Sequence, residues 1–162
     1  FRLGLLFMMT FPGAPCIYYG DEIGLEGGRD PDCRRGFPWP DEMHAGEMAD
    51  WNQDLLDYVK RSIALRKAYP PLCCGSYRRL DASDDVVVFA RQAGEETLVI
   101  ALNASNTPAR LAAPVAGLLP DGSALEAVWG AGIARVDNGI LNGVTVPPRS
   151  GLVLNALSSY KL

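Results

Sequence analysis

The residues with chemistry to offer cluster early in this chain: Asp21, Glu22, Arg29, Asp30, Asp32, Arg34 and Arg35, with Phe37 and Trp39 just beyond. Asp30 and Arg34 stand four residues apart. A carboxylate accepts hydrogen bonds, and a guanidinium donates several in a fixed fork. From spacing alone the pair reads as a salt bridge that stabilises its own loop. Asp21 and Glu22 invite a paired-acid reading. Neighbours on a strand point to opposite sides, however, so the two cannot flank one reacting bond. We expect them to hydrogen-bond residues around a pocket mouth instead. Cys16, Cys33, Cys73 and Cys74 lack metal-ligand spacing, and the lone histidine, His44, lies among polar residues that would solvate it. No zinc site is expected, and nothing in the residues calls for a cofactor. Reduced thiols in a cytoplasmic protein are the simplest reading, ahead of a redox pair at Cys73-Cys74.

Several elements must position these residues. Cys16 to Tyr19 is a short apolar run, entered through Gly13-Ala14-Pro15 and left through Gly20 onto two carboxylates. That is the profile of a buried strand whose carboxyl end opens into a loop, the end where parallel α/β sheets present their chemistry. Ahead of it, Leu3, Phe7 and Phe11 repeat every four residues beside Leu6 and Met8, which predicts a helix buried nearly all round and ended by Pro12-Gly13. A signal peptide reading of the same stretch has only Arg2 for its positive region and Pro15 badly placed before a cleavage point. The run is also too short to span a bilayer.

From Glu26 to Asp50 the chain turns to Gly, Pro, Asp and Arg. A loop of about twenty-five residues exceeds what compact domains usually carry without a function. Trp39 could stack on a sugar face, but after Phe-Pro it reads first as loop core, and Tyr18 and Tyr19 read as packing residues. Trp51, Leu55, Val59 and Ile63 then predict an amphipathic helix, capped by Asp50 or Asn52 and stopped by Pro70-Pro71. Its early Asp54 and Asp57 and late Arg61, Arg66 and Lys67 suit the helix dipole.

After Leu72 the period changes to two. Candidate strands are Tyr77–Leu80, Val86–Arg91, Thr97–Asn103, Ala109–Ala112, Leu125–Trp129, Ile133–Val136, Gly143–Val146 and Gly151–Leu157, separated by turns such as Asp137-Asn138-Gly139. Short strands at this spacing predict an antiparallel β-sandwich, with the boundary near Leu72 to Gly75. A chain of 162 residues, 48% hydrophobic and 21% charged, can bury such a core. Its formal charge of −4 argues against non-specific nucleic-acid binding.

Four segments, in order, carry a resemblance. Pro15-Cys16-Ile17-Tyr18-Tyr19-Gly20-Asp21-Glu22 and Gly28-Arg29-Asp30-Pro31-Asp32-Cys33-Arg34-Arg35, with Phe37-Pro38-Trp39, resemble the eighth barrel strand and its loop in the alpha-amylase family of retaining glycoside hydrolases. Gly36 departs from the Ala or Pro more usual there. Leu55-Leu56 through Lys67 and Pro71-Leu72 resemble the eighth helix. Val99 to Ser105 and Val146 to Gly151 resemble the C-terminal β domain. The nearest group is that of cyclomaltodextrinases, neopullulanases and maltogenic amylases.

The resemblance implies an α/β plus all-β fold: residues 1–74 as the terminal segment of a (β/α)8 TIM barrel, and residues 75–162 as a C-terminal β-sandwich. It implies part of an alpha-glucan hydrolase whose catalytic carboxylates lie on earlier strands, so no catalytic residue is assigned here. Asp30 and Arg34 would bind a glucose unit on the non-reducing side of the cleavage point of an alpha-glucan or maltooligosaccharide. The faces of Phe1–Phe11 and Cys16–Tyr19 would meet the missing barrel portion or a second copy, with no nucleic acid or membrane as partner and no metal-binding residue assigned in this sequence. A related glucanotransferase or alpha-glucosidase shares every motif present. The rival class is a non-catalytic β-sandwich for carbohydrate binding or dimerisation, for which Tyr77, Phe89, Trp129 and Tyr160 are the available aromatics. Of these, Phe89 reads as core.

Overall fold

The computed structural model describes residues 1–39 and 51–156. His44, Asp50, Leu157, Tyr160 and the second half of the predicted loop lie outside the described residues.

Three helices precede the strands: α1 (Arg2–Thr10), α2 (Gln53–Ala68) and α3 (Pro70–Cys74). The Asn52 side chain caps α2 by accepting from the Leu55 amide at 2.9 Å. The buried stripe of α2 runs Leu55, Val59, Ser62, Leu65 and Arg66. It follows the true helical period and drifts off the strict four-residue repeat that pointed to Ile63. Pro70 and Pro71 end α2 and open α3, where a missing amide hydrogen is harmless.

The strands are β1 (Ser76–Ala82), β2 (Val86–Ala93), β3 (Glu96–Asn103), β4 (Ala109–Arg110), β5 (Ala113–Pro114), β6 (Ala124–Trp129), β7 (Ile133–Asp137), β8 (Ile140–Asn142), β9 (Thr145–Val146) and β10 (Ser150–Ala156). Eight form one sheet in the order β1-β2-β3-β10-β6-β7-β8-β5, and β4 pairs with β9 in a small ribbon. Every pairing among the described residues is antiparallel. The edge strands β1 and β5 approach each other, and Arg78 reaches the Ala116 carbonyl just beyond β5. The predicted β domain is thus one continuous, nearly closed sheet curled around its core.

Two faces of this sheet are buried. Inside lie Val88, Ala90, Val99, Ala101, Leu125, Leu141, Leu152 and Leu154. Outside, Phe89, Leu98, Ile100, Leu102 and Val153 meet Leu6 of α1, Leu65 of α2 and Leu72 of α3. That double burial explains the unbroken apolar run of β3, because a strand covered on both sides has no polar face. Gly151 lets α1 approach β10 closely, since a Cβ there would stand 2.5 Å from the Leu6 side chain. Asn138 and Gly139, both at positive φ, make the tight β7–β8 turn read from the sequence.

Three expectations change. Residues 16–19 form no ladder: with all described pairings antiparallel, this segment has no parallel neighbour and runs irregularly into a turn. Among the described residues ahead of β1, the helices α1, α2 and α3 pack against one face of the sheet. Within this chain α1 is buried on one face only, through Leu5, Leu6, Met9 and Thr10, leaving Phe1 71% and Phe7 40% exposed. The strand predicted at Ala109–Ala112 stops at Arg110 as β4, and a separate strand not predicted, β5, begins at Ala113 with a different partner.

Candidate functional site

The segment from Ala14 to Trp39 is held by both ends of α2. At its start, the Arg66 guanidinium donates to the carbonyls of Met9 (2.8 Å), Phe11 (3.3 Å) and Gly13 (2.6 Å). In its middle, the Asn52 amide donates to Ile23 O at 3.0 Å. At its far end, Trp51 Nε1 donates to Pro38 O at 3.0 Å, and the Trp51 ring meets Phe37 edge-on.

Between these anchors the chain folds through two single 3₁₀ turns, Asp21–Ile23 and Asp32–Arg34. Asp21 and Glu22 therefore lie on a tight turn, not on a strand. Glu22 accepts from the Gly20 amide at 2.8 Å and so ties its own turn. Tyr19 packs on Tyr18 and donates from its hydroxyl to Arg35 O at 3.0 Å. Trp39 is 57% exposed and lies against Phe37, so it is a surface aromatic and not loop core.

Asp30 and Arg34 form an ion pair across one turn, with both side chains largely exposed and a cis peptide joining Asp30 to Pro31. A second pair, not anticipated, lies beside it. Arg35 grips Asp32 through both carboxylate oxygens, at 2.5 and 2.7 Å, and Asp32 also accepts from the Gly28 amide at 2.7 Å. The Arg35 hydrogen bond, then that amide, hold the Asp32 carboxyl below the ordinary carboxylate value. Exposed ion pairs stabilise by only about 0–1 kcal/mol, so these order the loop more than they stabilise the fold. The loop thus presents two carboxylates and two guanidiniums to solvent near exposed aromatic faces.

The structure contradicts neither reading of Asp30 and Arg34: they pair with each other and remain open to a ligand. Among the described residues no group of three or more His, Cys, Asp or Glu could hold a metal ion, and all four cysteines are free thiols. A mostly apolar cleft of about 800 Å³ lies between the amino end of α1, the Ser83-Asp84-Asp85 turn and Arg149, and shares no residue with the loop.

Two residues matter more than sequence reasoning allowed. Arg66 leaves its own helix to bind the carboxyl end of α1. Arg91, fully buried on β2, donates to Thr10 O at 2.8 Å, Gly75 O at 3.0 Å and Ser76 O at 3.1 Å. Burial, and then the nearby Arg66 cation, pull the Arg91 guanidinium below its ordinary value, which lies so far above neutrality that it stays charged. Helix α1 has no basic residue in its last turn, and these two cations serve its dipole from elsewhere in the chain. The available signal was a charged residue inside the apolar run of β2.

Comparison with known proteins places this architecture. Residues 77–154 match the family described as neopullulanase-like, C-terminal domain. A cyclomaltodextrinase of Geobacillus thermopakistaniensis is 44% identical over 116 residues, covering 70% of this chain and 18% of that protein. An intracellular maltogenic amylase of Bacillus subtilis is 40% identical over 108 residues, covering 65% of this chain and 17% of its own length. The alpha-amylase of Geobacillus thermoleovorans, solved in complex with acarbose, superposes with a TM-score of 0.82 at 27% identity, over 98% of this chain and 33% of that one. The chain thus spans less than one fifth of the curated relatives it matches and about a third of that solved structure.

A nearly closed antiparallel β domain behind packed helices gives the class: the chain matches a C-terminal portion of alpha-amylase family proteins. Its residues 77–154 match the neopullulanase-like C-terminal type, and its relatives include proteins named cyclomaltodextrinase and maltogenic amylase.

Proposed function

We propose that this sequence serves an intracellular alpha-glucan hydrolase by completing its sugar-binding surface, while bond cleavage is done elsewhere in the protein. Retaining cleavage needs a nucleophilic carboxylate and a general acid about 5–5.5 Å apart across the scissile bond. Here the exposed carboxylates Asp30 and Asp32 are each tied to an arginine in a surface loop, an arrangement suited to binding. In this reading residues 1–74 supply the last segment of a (β/α)8 barrel, and residues 14–39 form the loop at its carboxyl end, where barrel enzymes bind substrate. Asp30 accepts from sugar hydroxyls and Arg34 donates to them, so ligand exchanges the ion pair for charge-assisted hydrogen bonds. Residues 75–162 are the β domain that supports this segment. The enzyme's partners are then an alpha-glucan or maltooligosaccharide and the remaining barrel polypeptide.

The observation that carries the reading is the agreement in order of two independent parts: the motif loop at residues 28–39, and the neopullulanase-like domain at residues 77–154. Arg34→Ala in the enzyme assembled with its full barrel tests it. Hydrogen bonds to charged groups are worth about 1.5–3 kcal/mol, so affinity for maltotriose should fall roughly ten- to a hundredfold. Unchanged affinity removes Asp30 and Arg34 from the substrate site.

A further inference from the structure

We infer that Arg66 is a positioning residue for the segment that carries Asp30 and Arg34, with Arg91 as its support from the β domain. The inference rests on the sugar-binding reading for what the segment binds, and on geometry for how the segment is held.

Arg66 is buried, with 8% of its surface exposed, and among the described residues it forms no ion pair. Its fork is spent on three backbone carbonyls, and the shortest of these contacts is to Gly13, the residue from which the segment departs. A buried guanidinium facing carbonyls alone tolerates little displacement, because each lost contact leaves a desolvated charge and a desolvated acceptor. Arg91 holds the intervening carbonyl, that of Thr10, and binds the chain where β1 begins. Together they fix the end of α1 against both α2 and the sheet.

The other anchors come from the opposite end of the same helix, through Asn52 to Ile23 and Trp51 to Pro38. A 16-residue helix is a rod of about 24 Å. It sets the distance between the entry of the segment at Gly13 and its exit at Pro38. Asp30 and Arg34 lie between those points, in a stretch whose own ion pairs are exposed and weak. The placement of the loop is therefore governed from α2 and, through Arg91, from the β domain.

The test uses the enzyme assembled with its full barrel and its Arg66→Lys and Arg66→Met variants, read by amide hydrogen exchange and by maltotriose titration. Lysine keeps the charge but offers one ammonium in place of a planar fork. Exchange over residues 14–24 should rise roughly tenfold in Arg66→Lys and further in Arg66→Met, while β3 amides keep their protection. Maltotriose affinity should weaken in the same order. Should Arg66→Met fail to fold, Arg66→Lys alone decides. Unchanged exchange over residues 14–24, or an equal rise in β3, overturns the inference. An assembled enzyme whose Arg34→Ala variant keeps the wild-type affinity for maltotriose would sink the sugar-binding reading, and the exchange profile would still uphold or overturn the positioning role.

Discussion

The Arg91 guanidinium donates to the Thr10 carbonyl at 2.8 Å across 81 residues of sequence, joining the last turn of α1 to the second strand of the β domain. No carboxylate takes part. The contact couples the end of α1 to the sheet by a hydrogen bond, beside the apolar contacts of Leu6.

Arg91→Met should therefore destabilise the chain by about 2–4 kcal/mol, because three carbonyls lose their donor inside the protein. Denaturant unfolding measures this, and Arg91→Lys should fall between the two. A loss below about 0.5 kcal/mol would mean that water replaces the guanidinium freely.

Asn103 is the matching polar knot at the other end of the sheet. Buried at the end of β3, it donates to Thr107 O, Val146 O and Pro147 O, and accepts from the Ser105 amide and hydroxyl. Asn103→Ala should cost about 2–4 kcal/mol. Asn103→Asp should cost more, since it turns a donor facing three carbonyls into a repelling acceptor. Equal stability of the two variants in thermal unfolding would contradict this.

The Asp32 loop should respond to acid. Its carboxyl titrates below the ordinary value, chiefly through the Arg35 hydrogen bond. A depressed value in the folded state contributes stability above the unfolded value, about 3.9, and loses it as pH falls through the folded one. The Gly28 amide signal should stay constant from neutrality and shift only once the pH falls below the ordinary carboxylate value, about 3.9. Asp32→Asn should abolish the shift; its persistence would assign the titration to another group.

Exposed aromatics predict association. Phe1, Phe7, Tyr18, Tyr19, Trp39 and Tyr77 all present large apolar surface, and Phe7, Phe11, Tyr77 and Phe89 form a row from α1 onto the sheet. Patches of this kind promote contact with a further polypeptide or a second copy. Light scattering should show the mass rising with concentration, and Phe7→Ser should lower it. A single monomeric species at high concentration would refute the prediction.

What the amino-acid sequence by itself determined about this protein is what short-range chemistry controls. The stop at Pro12-Gly13, the Asn52 cap, the Pro70-Pro71 break and the Asn138-Gly139 turn all follow from neighbours a few positions apart. The apolar run of β3 announced burial, and the ordered motifs announced the family. Ile140–Asn142 escaped notice because three residues after a turn are too few to show a period. Only the tertiary structure decided that β10 enters between β3 and β6, that one face of α1 stays open, and that Arg66 and Arg91 turn inward. The physical reason is that strand partners and unpaired helix carbonyls are satisfied by groups dozens of residues away. No local pattern records which distant donor will reach them.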